Sequence, residues 1–192
     1  MSSKSSVSGT REPSPIAAVI GSGASGTIFA KILSDAGCPE VRLWAKDPEV
    51  AHDIHETHIN SRYLPNVELP ANIKATANAV AALAGAELVV LALPTPDART
   101  VLESMAELVE PDAIIACLMA DSESGNGKLP TDASEILQVP ATRVVTVSGP
   151  VSAGDAATMQ PVFVRSANPD AAHFVARLIG NTGRQAEVAS NV

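Results

Sequence analysis

The chain has 192 residues, of which 46% are hydrophobic and only 3% aromatic, and its formal net charge is −8. That length suits one domain with a full core, and the apolar content excludes a disordered chain. An acidic balance argues against a nucleic-acid-binding stripe or an anionic membrane surface as partner, and no apolar run approaches the ~20 residues of a membrane span.

Taken in chain order, residues 1–14 are Ser-rich and polar, with Lys4 and Arg11 as their only cations and no apolar signal core behind them. They read as a disordered tail on a cytoplasmic protein, leaving residues 15–192 as one domain. Pro15–Ile20 is an apolar run stopped by Gly21, the pattern of a buried strand. Ala24–Ala36 has helical spacing, with Ile28, Phe29, Ile32, Leu33 and Ala36 on one face and Gly37 as its stop. Val41–Trp44 is a second strand. Asp47 then caps a helix whose first residue is Pro48.

Further along, Ile73–Ala77 is a weak strand, and Ala79–Ala84 is a short helix closed by Gly85. Leu88–Leu93 is a strand stopped by Pro94 and Pro96, Asp97–Val109 a helix, and Ala113–Met119 a buried strand. Residues 121–132 read as a polar loop, and Ser134–Leu137 as a short helix. Arg143–Val147 and Pro161–Arg165 are strands, Pro169–Ile179 a helix, and Gln185–Val188 a last strand. Alternation of this kind predicts an α/β fold, a doubly wound parallel sheet with helices on both faces. A core of Ala, Val, Ile and Leu fits it.

Between the first strand and the first helix lies Gly21-Ser22-Gly23-Ala24-Ser25-Gly26, a G-x-G-x-x-G in strand–loop–helix context. Gly21 allows the tight turn, Gly23 leaves room for a pyrophosphate, and Gly26 lets helix and strand pack closely. The helix N-terminus supplies free N–H groups and a partial positive charge for phosphates. These residues predict a Rossmann-type domain holding NAD or NADP. NAD-preferring domains close the second strand with an acid; here Val41-Arg42-Leu43-Trp44 is followed by Ala45 and Lys46. Lys46 reads either as a receptor for a 2′-phosphate or as a solvated surface lysine.

Other signals do not reach a site. His52, His55 and His58 spread around a helix, and His55-Glu56-Thr57-His58 is one residue short of H-E-x-x-H, so no metal is expected. Gly125-Asn126-Gly127-Lys128 lacks the first glycine and the Ser or Thr of a P-loop. Cys38 and Cys117 do not make a disulfide scaffold. Cys117 and His173 fall in core and surface contexts, not those of a nucleophile and its base. A Tyr-x-x-x-Lys pair is missing, since Val67 stands four residues after Tyr63. No catalytic residue is assigned.

Several segments together resemble the N-terminal domain of NAD(P)-dependent glycerol-3-phosphate dehydrogenase: Ala17–Thr27, Val41–Trp44, Asp47-Pro48-Glu49, Arg62–Pro70 with its Tyr-Leu-Pro…Leu-Pro, Ala86–Pro94, and Ser148-Gly149-Pro150 with Ala153. The resemblance implies cofactor contacts at Gly21, Ser22, Gly23, Ala24, Ser25, Gly26, Thr27, Lys46, Pro94 and Ala153, and a substrate edge at Ala120, Gly149 and Val151. Ser25 stands where the family carries an aromatic ring, and Ala120 where it carries a lysine that helps bind substrate and cofactor. Asp121 and Glu123 add negative charge nearby.

The implied chemistry is hydride transfer between NAD(P)H and a phosphorylated three-carbon substrate, dihydroxyacetone phosphate or sn-glycerol 3-phosphate. The family's catalytic lysine belongs to a C-terminal helical domain, which is expected to be absent here, so the chain alone is expected to be inactive. A catalytically dead NAD(P)-binding or regulatory module is the alternative. A homodimer, or a partner chain that completes the site, stays open.

Overall fold

In the computed structural model, which describes residues 14–119, 128–149 and 161–189, one long sheet carries helices on both faces. The strands near the glycine loop are β1 (Ala17–Ile20) and β2 (Val41–Trp44). A short hairpin follows, β3 (Ile59–Asn60) and β4 (Leu64–Glu68). The remaining strands are β5 (Ile73–Thr76), β6 (Leu88–Leu91), β7 (Ile114–Met119), β8 (Val144–Ser148), β9 (Val162–Ser166) and β10 (Ala186–Val188). The main sheet runs β10-β9-β8-β7-β6-β1-β2-β5. Chain order reverses between β1 and β6, which are hydrogen-bonded neighbours, and this switch point is where a doubly wound sheet opens a crevice at its carboxyl end.

The helices are α1 (Ala24–Asp35), α2 (Pro48–Thr57), α3 (Ala79–Leu83), α4 (Thr95–Met105), α5 (Leu129–Ile136) and α6 (Pro169–Gly180). Successive side chains of a strand point to opposite faces, and the core divides accordingly. Ala17 and Val19 of β1 join Phe29, Leu33, Ile54 and Val175 on the face covered by α1, α2 and α6. Ala18 and Ile20 join Leu83, Leu102 and Ala133 on the face covered by α3, α4 and α5. Burying both faces explains why the strands read as continuous apolar runs.

Local chemistry sets the element ends. Beyond Asp35, Gly37 takes φ +98°, its N–H bonds the Ser34 carbonyl at 3.0 Å, and the Cys38 N–H bonds the Leu33 carbonyl at 3.1 Å. This paired arrangement needs a left-handed residue, which glycine adopts without a Cβ penalty. Asp47 caps α2 through Glu49 N–H at 2.9 Å, as its position before Pro48 predicts.

The structure departs from the sequence expectation in four places. The sheet is mostly parallel, but β8 and β9 run antiparallel, a pairing that needs no crossover helix. Helix α4 starts at Thr95, two residues early, because Pro96 sits in the first turn, where the missing N–H has no intrahelical partner to lose; a 3₁₀ turn over Ala106–Leu108 replaces its expected end. Helix α5 starts at Leu129, inside the expected polar loop, with a proline again in its first turn. The β3–β4 hairpin was not anticipated.

Both cysteines are free and buried. Among the described residues no helix is long and apolar enough to cross a membrane. Residues 1–13, Ala120, Asp121, Glu123, Val151, Ala153 and Gly125–Gly127, all singled out in the sequence, lie outside the described residues.

Candidate functional site

The loop between β1 and α1 is fixed by backbone meeting backbone. The Gly21 N–H donates to the Trp44 carbonyl at 3.1 Å, and the Ala92 N–H donates to the Ile20 carbonyl at 2.9 Å, so the loop is tied to both neighbouring strands. Gly21 has φ +115°, and a Cβ there would lie 2.3 Å from the Ala92 carbonyl oxygen. A Cβ on Gly26 would lie 1.9 Å from the Gly21 carbonyl oxygen and 3.0 Å from the Ala92 Cβ. Both positions are closed to any side chain.

Gly23 differs. It is the N-cap of α1 with φ −64° and ψ 178°, a conformation open to other residues, and a Cβ there would meet nothing within 4 Å. Its freedom from a side chain is therefore not required by the protein's own packing. The empty volume beside it is the cleft.

That cleft, about 720 Å³, is lined by the glycine loop Gly21–Gly26, by Trp44, Lys46, Asp47, Val50 and Tyr63 from the stretch running from β2 to β4, and by Ala92–Pro94, Asp97, Val101, Leu118 and Met119 from the stretch running from β6 through β7. Helix α1 points its N-terminal turn into it without a side-chain cap, which leaves the first-turn amides and the positive end of the helix dipole facing the space. The cleft is largely apolar-walled, with polar groups at few points, as small-molecule and cofactor sites generally are.

The lip of the cleft carries charge. Lys46 Nζ lies 3.4 Å from Asp97 Oδ2, and both side chains are more than half exposed. Arg62 Nη1 donates to Asp47 Oδ2 at 2.6 Å. The Arg62 hydrogen bond, aided by the Glu49 N–H, holds the Asp47 carboxyl below its usual range. Asp47, the nearest acid to the end of β2, is thus committed both as a helix cap and as the partner of Arg62.

Of the sequence-predicted residues, Gly21, Ser22, Gly23, Ala24, Ser25, Gly26, Lys46 and Pro94 all line the cleft. Thr27 does not. It is fully buried behind the loop, and its hydroxyl donates to the Ser22 carbonyl at 3.2 Å. Gly149 follows β8 with φ +108°, and a Cβ there would stand 3.0 Å from the Pro161 carbonyl oxygen, so this glycine is required by the backbone. Ala120, Val151 and Ala153 lie outside the described residues.

Sequence reading assigned no role to Trp44, Tyr63 or Asp97 in the cleft. Tyr63 is half exposed at the turn of the hairpin. The only sequence signal for it was the Tyr-Leu-Pro segment itself.

The remaining signals resolve on geometry. Cys117 packs on the sheet face opposite α6, which carries His173 on its exposed side, so the two do not meet. Burial pushes the Cys117 thiol up to about 12, which keeps it protonated. His52 and His55 are exposed, while His58 leaves the helix in the left-handed conformation with φ +54°. Among the described residues, no three His, Cys, Asp or Glu side chains gather to hold a metal.

Comparison with known proteins places this geometry. The family model described as NAD-dependent glycerol-3-phosphate dehydrogenase N-terminus matches residues 16–173. The chain is 42% identical over 146 residues to glycerol-3-phosphate dehydrogenase [NAD(P)+] of Streptomyces griseus, covering 76% of this chain and 43% of that protein. It is 42% identical over 145 residues to the enzyme of the same name from Corynebacterium jeikeium, covering 75% and 43%. Among solved structures, glycerol-3-phosphate dehydrogenase from Coxiella burnetii superposes with a TM-score of 0.79 at 25% identity, covering 91% of this chain and 54% of that one. The chain thus spans less than half the length of the curated relatives it matches.

Proposed function

Since the chain belongs to the NAD-dependent glycerol-3-phosphate dehydrogenase family through the N-terminal region, its dinucleotide-binding part, we propose that the cleft at the β1–β6 switch point is its NAD(P) site. The observation that carries this is the contrast inside the loop: Gly21 and Gly26 are glycine because the fold demands it, whereas Gly23 faces open cleft and has no packing reason to lack a side chain. A diphosphate lying against Gly23 and the first turn of α1 supplies that reason.

On this reading Ser22–Gly26 hold the pyrophosphate, with charge supplied by the helix end and not by a lysine. The adenosine end runs towards Trp44, Lys46 and Tyr63. The nicotinamide end runs towards Leu118, Met119 and the neighbouring Ala120, with Gly149, Val151 and Ala153 at that end by resemblance. Lys46 is the group suited to a 2′-phosphate, because Asp47 is already engaged by Arg62 and Glu49 N–H. When bound, the dinucleotide supplies the hydride. Val101, Leu118 and Met119 give the cleft apolar wall on that side.

The proposed reaction is that of the family, hydride exchange between NAD(P)H and dihydroxyacetone phosphate. Its weak point in this sequence is Ala120, which stands where the family places a substrate-binding lysine. A missing charge-assisted contact of that kind costs ~2–4 kcal/mol, or roughly two to three powers of ten in rate.

The test is calorimetric titration of the 192-residue chain with NADH and NADPH, followed by dinucleotide oxidation with dihydroxyacetone phosphate for the wild type and Ala120→Lys. Binding of at least one dinucleotide is expected, with turnover near background that rises on Ala120→Lys once a C-terminal domain from a full-length relative is added. No binding removes the reading, and robust turnover by the unmodified chain alone removes the role given to Ala120.

A further inference from the structure

Behind the glycine loop lies a polar knot that the cleft does not display. Among the described residues, Thr27 and Asn60 are the buried polar side chains, both at 0% exposure. Asn60 Nδ2 donates to the Ser22 carbonyl at 2.8 Å and to Thr27 Oγ1 at 2.8 Å. Thr27 Oγ1 in turn donates to the same Ser22 carbonyl at 3.2 Å. On its other side, Asn60 Oδ1 accepts from the Tyr63 N–H at 3.2 Å. Both amide hydrogens and the amide oxygen of Asn60 are used, so its cost of burial is met.

The target of this knot is a single peptide unit. A trans peptide is planar, with its C=O and N–H on opposite sides, and among the described residues every peptide bond is trans. Two donors draw the Ser22 carbonyl inward, away from the cleft. The N–H of the same unit belongs to Gly23 and must then point outward, beside the open space where a Cβ meets nothing. Without the knot this unit sits at a loop with no side-chain cap and no strand partner to orient it.

We propose that Asn60, acting with Thr27, is a positioning residue that turns the Ser22–Gly23 peptide so that the Gly23 N–H donates to the diphosphate of a bound dinucleotide. The inference rests on the dinucleotide reading of the cleft. It also explains the hairpin: β3 exists to bring Asn60 under the loop, and the hydrogen bond to Tyr63 N–H fixes the turn that presents Tyr63 to the same cleft.

The test uses NADH as the probe and Asn60→Asp, Thr27→Val and Thr27→Ser as variants. Asn60→Asp keeps the acceptor for Tyr63 and removes both donors; Thr27→Val keeps the shape and removes the hydroxyl; Thr27→Ser restores it. Kd is measured by calorimetry, and the Gly23 amide proton is followed by ¹⁵N-edited NMR as NADH is added.

Loss of one or two buried hydrogen bonds to a binding loop predicts a Kd roughly tenfold higher for the Asp and Val variants. The NADH-induced shift of the Gly23 amide should shrink with it, and Thr27→Ser should stay within about twofold of wild type, since it keeps the bond in question. If Asn60→Asp does not fold, the Thr27 pair decides alone. Unchanged affinity in Thr27→Val, or weaker affinity with an unchanged Gly23 shift, overturns the positioning role while leaving the cofactor site standing. Failure of the wild type to bind NADH overturns the cofactor reading instead.

Discussion

The two walls of the cleft hold their shape by different means. At the glycine loop, backbone packs on backbone with no room for a Cβ at Gly21 or Gly26, and the one polar knot is sealed from water. Across the cleft, the lip is held by exposed ion pairs, Lys46 with Asp97 and Asp47 with Arg62. Steric exclusion does not bend and is insensitive to salt, whereas exposed pairs contribute little to stability and are screened by salt. The loop wall is therefore a template with one shape, whereas at the lip Asp47 is committed to Arg62 and the longer, exposed Lys46–Asp97 pair is the contact that opens at least cost.

The sharpest way to break this comparison is Gly26→Ala. Its Cβ would stand 1.9 Å from the Gly21 carbonyl oxygen, which belongs to backbone pinned by β1 and β2 and cannot yield cheaply. The expected cost is about 3 kcal/mol or more, seen as a thermal midpoint lower by roughly 6–12 °C. A midpoint like that of the wild type would mean the loop is softer than its geometry implies.

Next comes Gly23→Val, which places the side chain into the cleft and not into the protein. Folding should lose no more than about 1 kcal/mol, since valine is a poorer N-cap than glycine. Dinucleotide affinity should fall by at least roughly a hundredfold, the loss of a close diphosphate contact. Wild-type affinity in a folded Gly23→Val would separate the open space at Gly23 from cofactor binding.

The smallest effect belongs to the lip. Lys46→Glu should leave stability within about 0.5 kcal/mol, because the pair it breaks is exposed, while NADPH affinity falls roughly tenfold relative to NADH. An unchanged ratio between the two cofactors would show that Lys46 does not meet the 2′-phosphate.

Much of the loop wall was legible in the sequence. The glycine spacing, the apolar run before it and the helical face after it are local signals, and each fell within a few residues of the observed element. Asn60 was not legible, because its partners lie 38 and 33 residues earlier in the chain and no periodicity links them. The hairpin was hidden for a related reason. Ile59–Asn60 is too short to show alternation, and Leu64–Glu68 carries Pro65 and exposes most of its residues. Strand direction was hidden too, since the buried pattern Val162–Ser166 reads the same whichever way it runs. The available clue was the segment 149–161, whose Gly149, Pro150, Gly154 and Pro161 do not suit the crossover helix a parallel neighbour usually needs.

That reversal has a consequence for how the molecule tolerates change. Because β9 returns antiparallel, Ser148 and Phe163 face each other at the end of the sheet where Met119 reaches the cleft. A βαβ connection must carry the chain back across the sheet, so its length is dictated by the sheet's own dimensions. The connection between β8 and β9 starts and finishes at one place, and lengthening it adds only a slowly growing closure entropy. Changes of length between β8 and β9 therefore put little strain on the strand registers to either side.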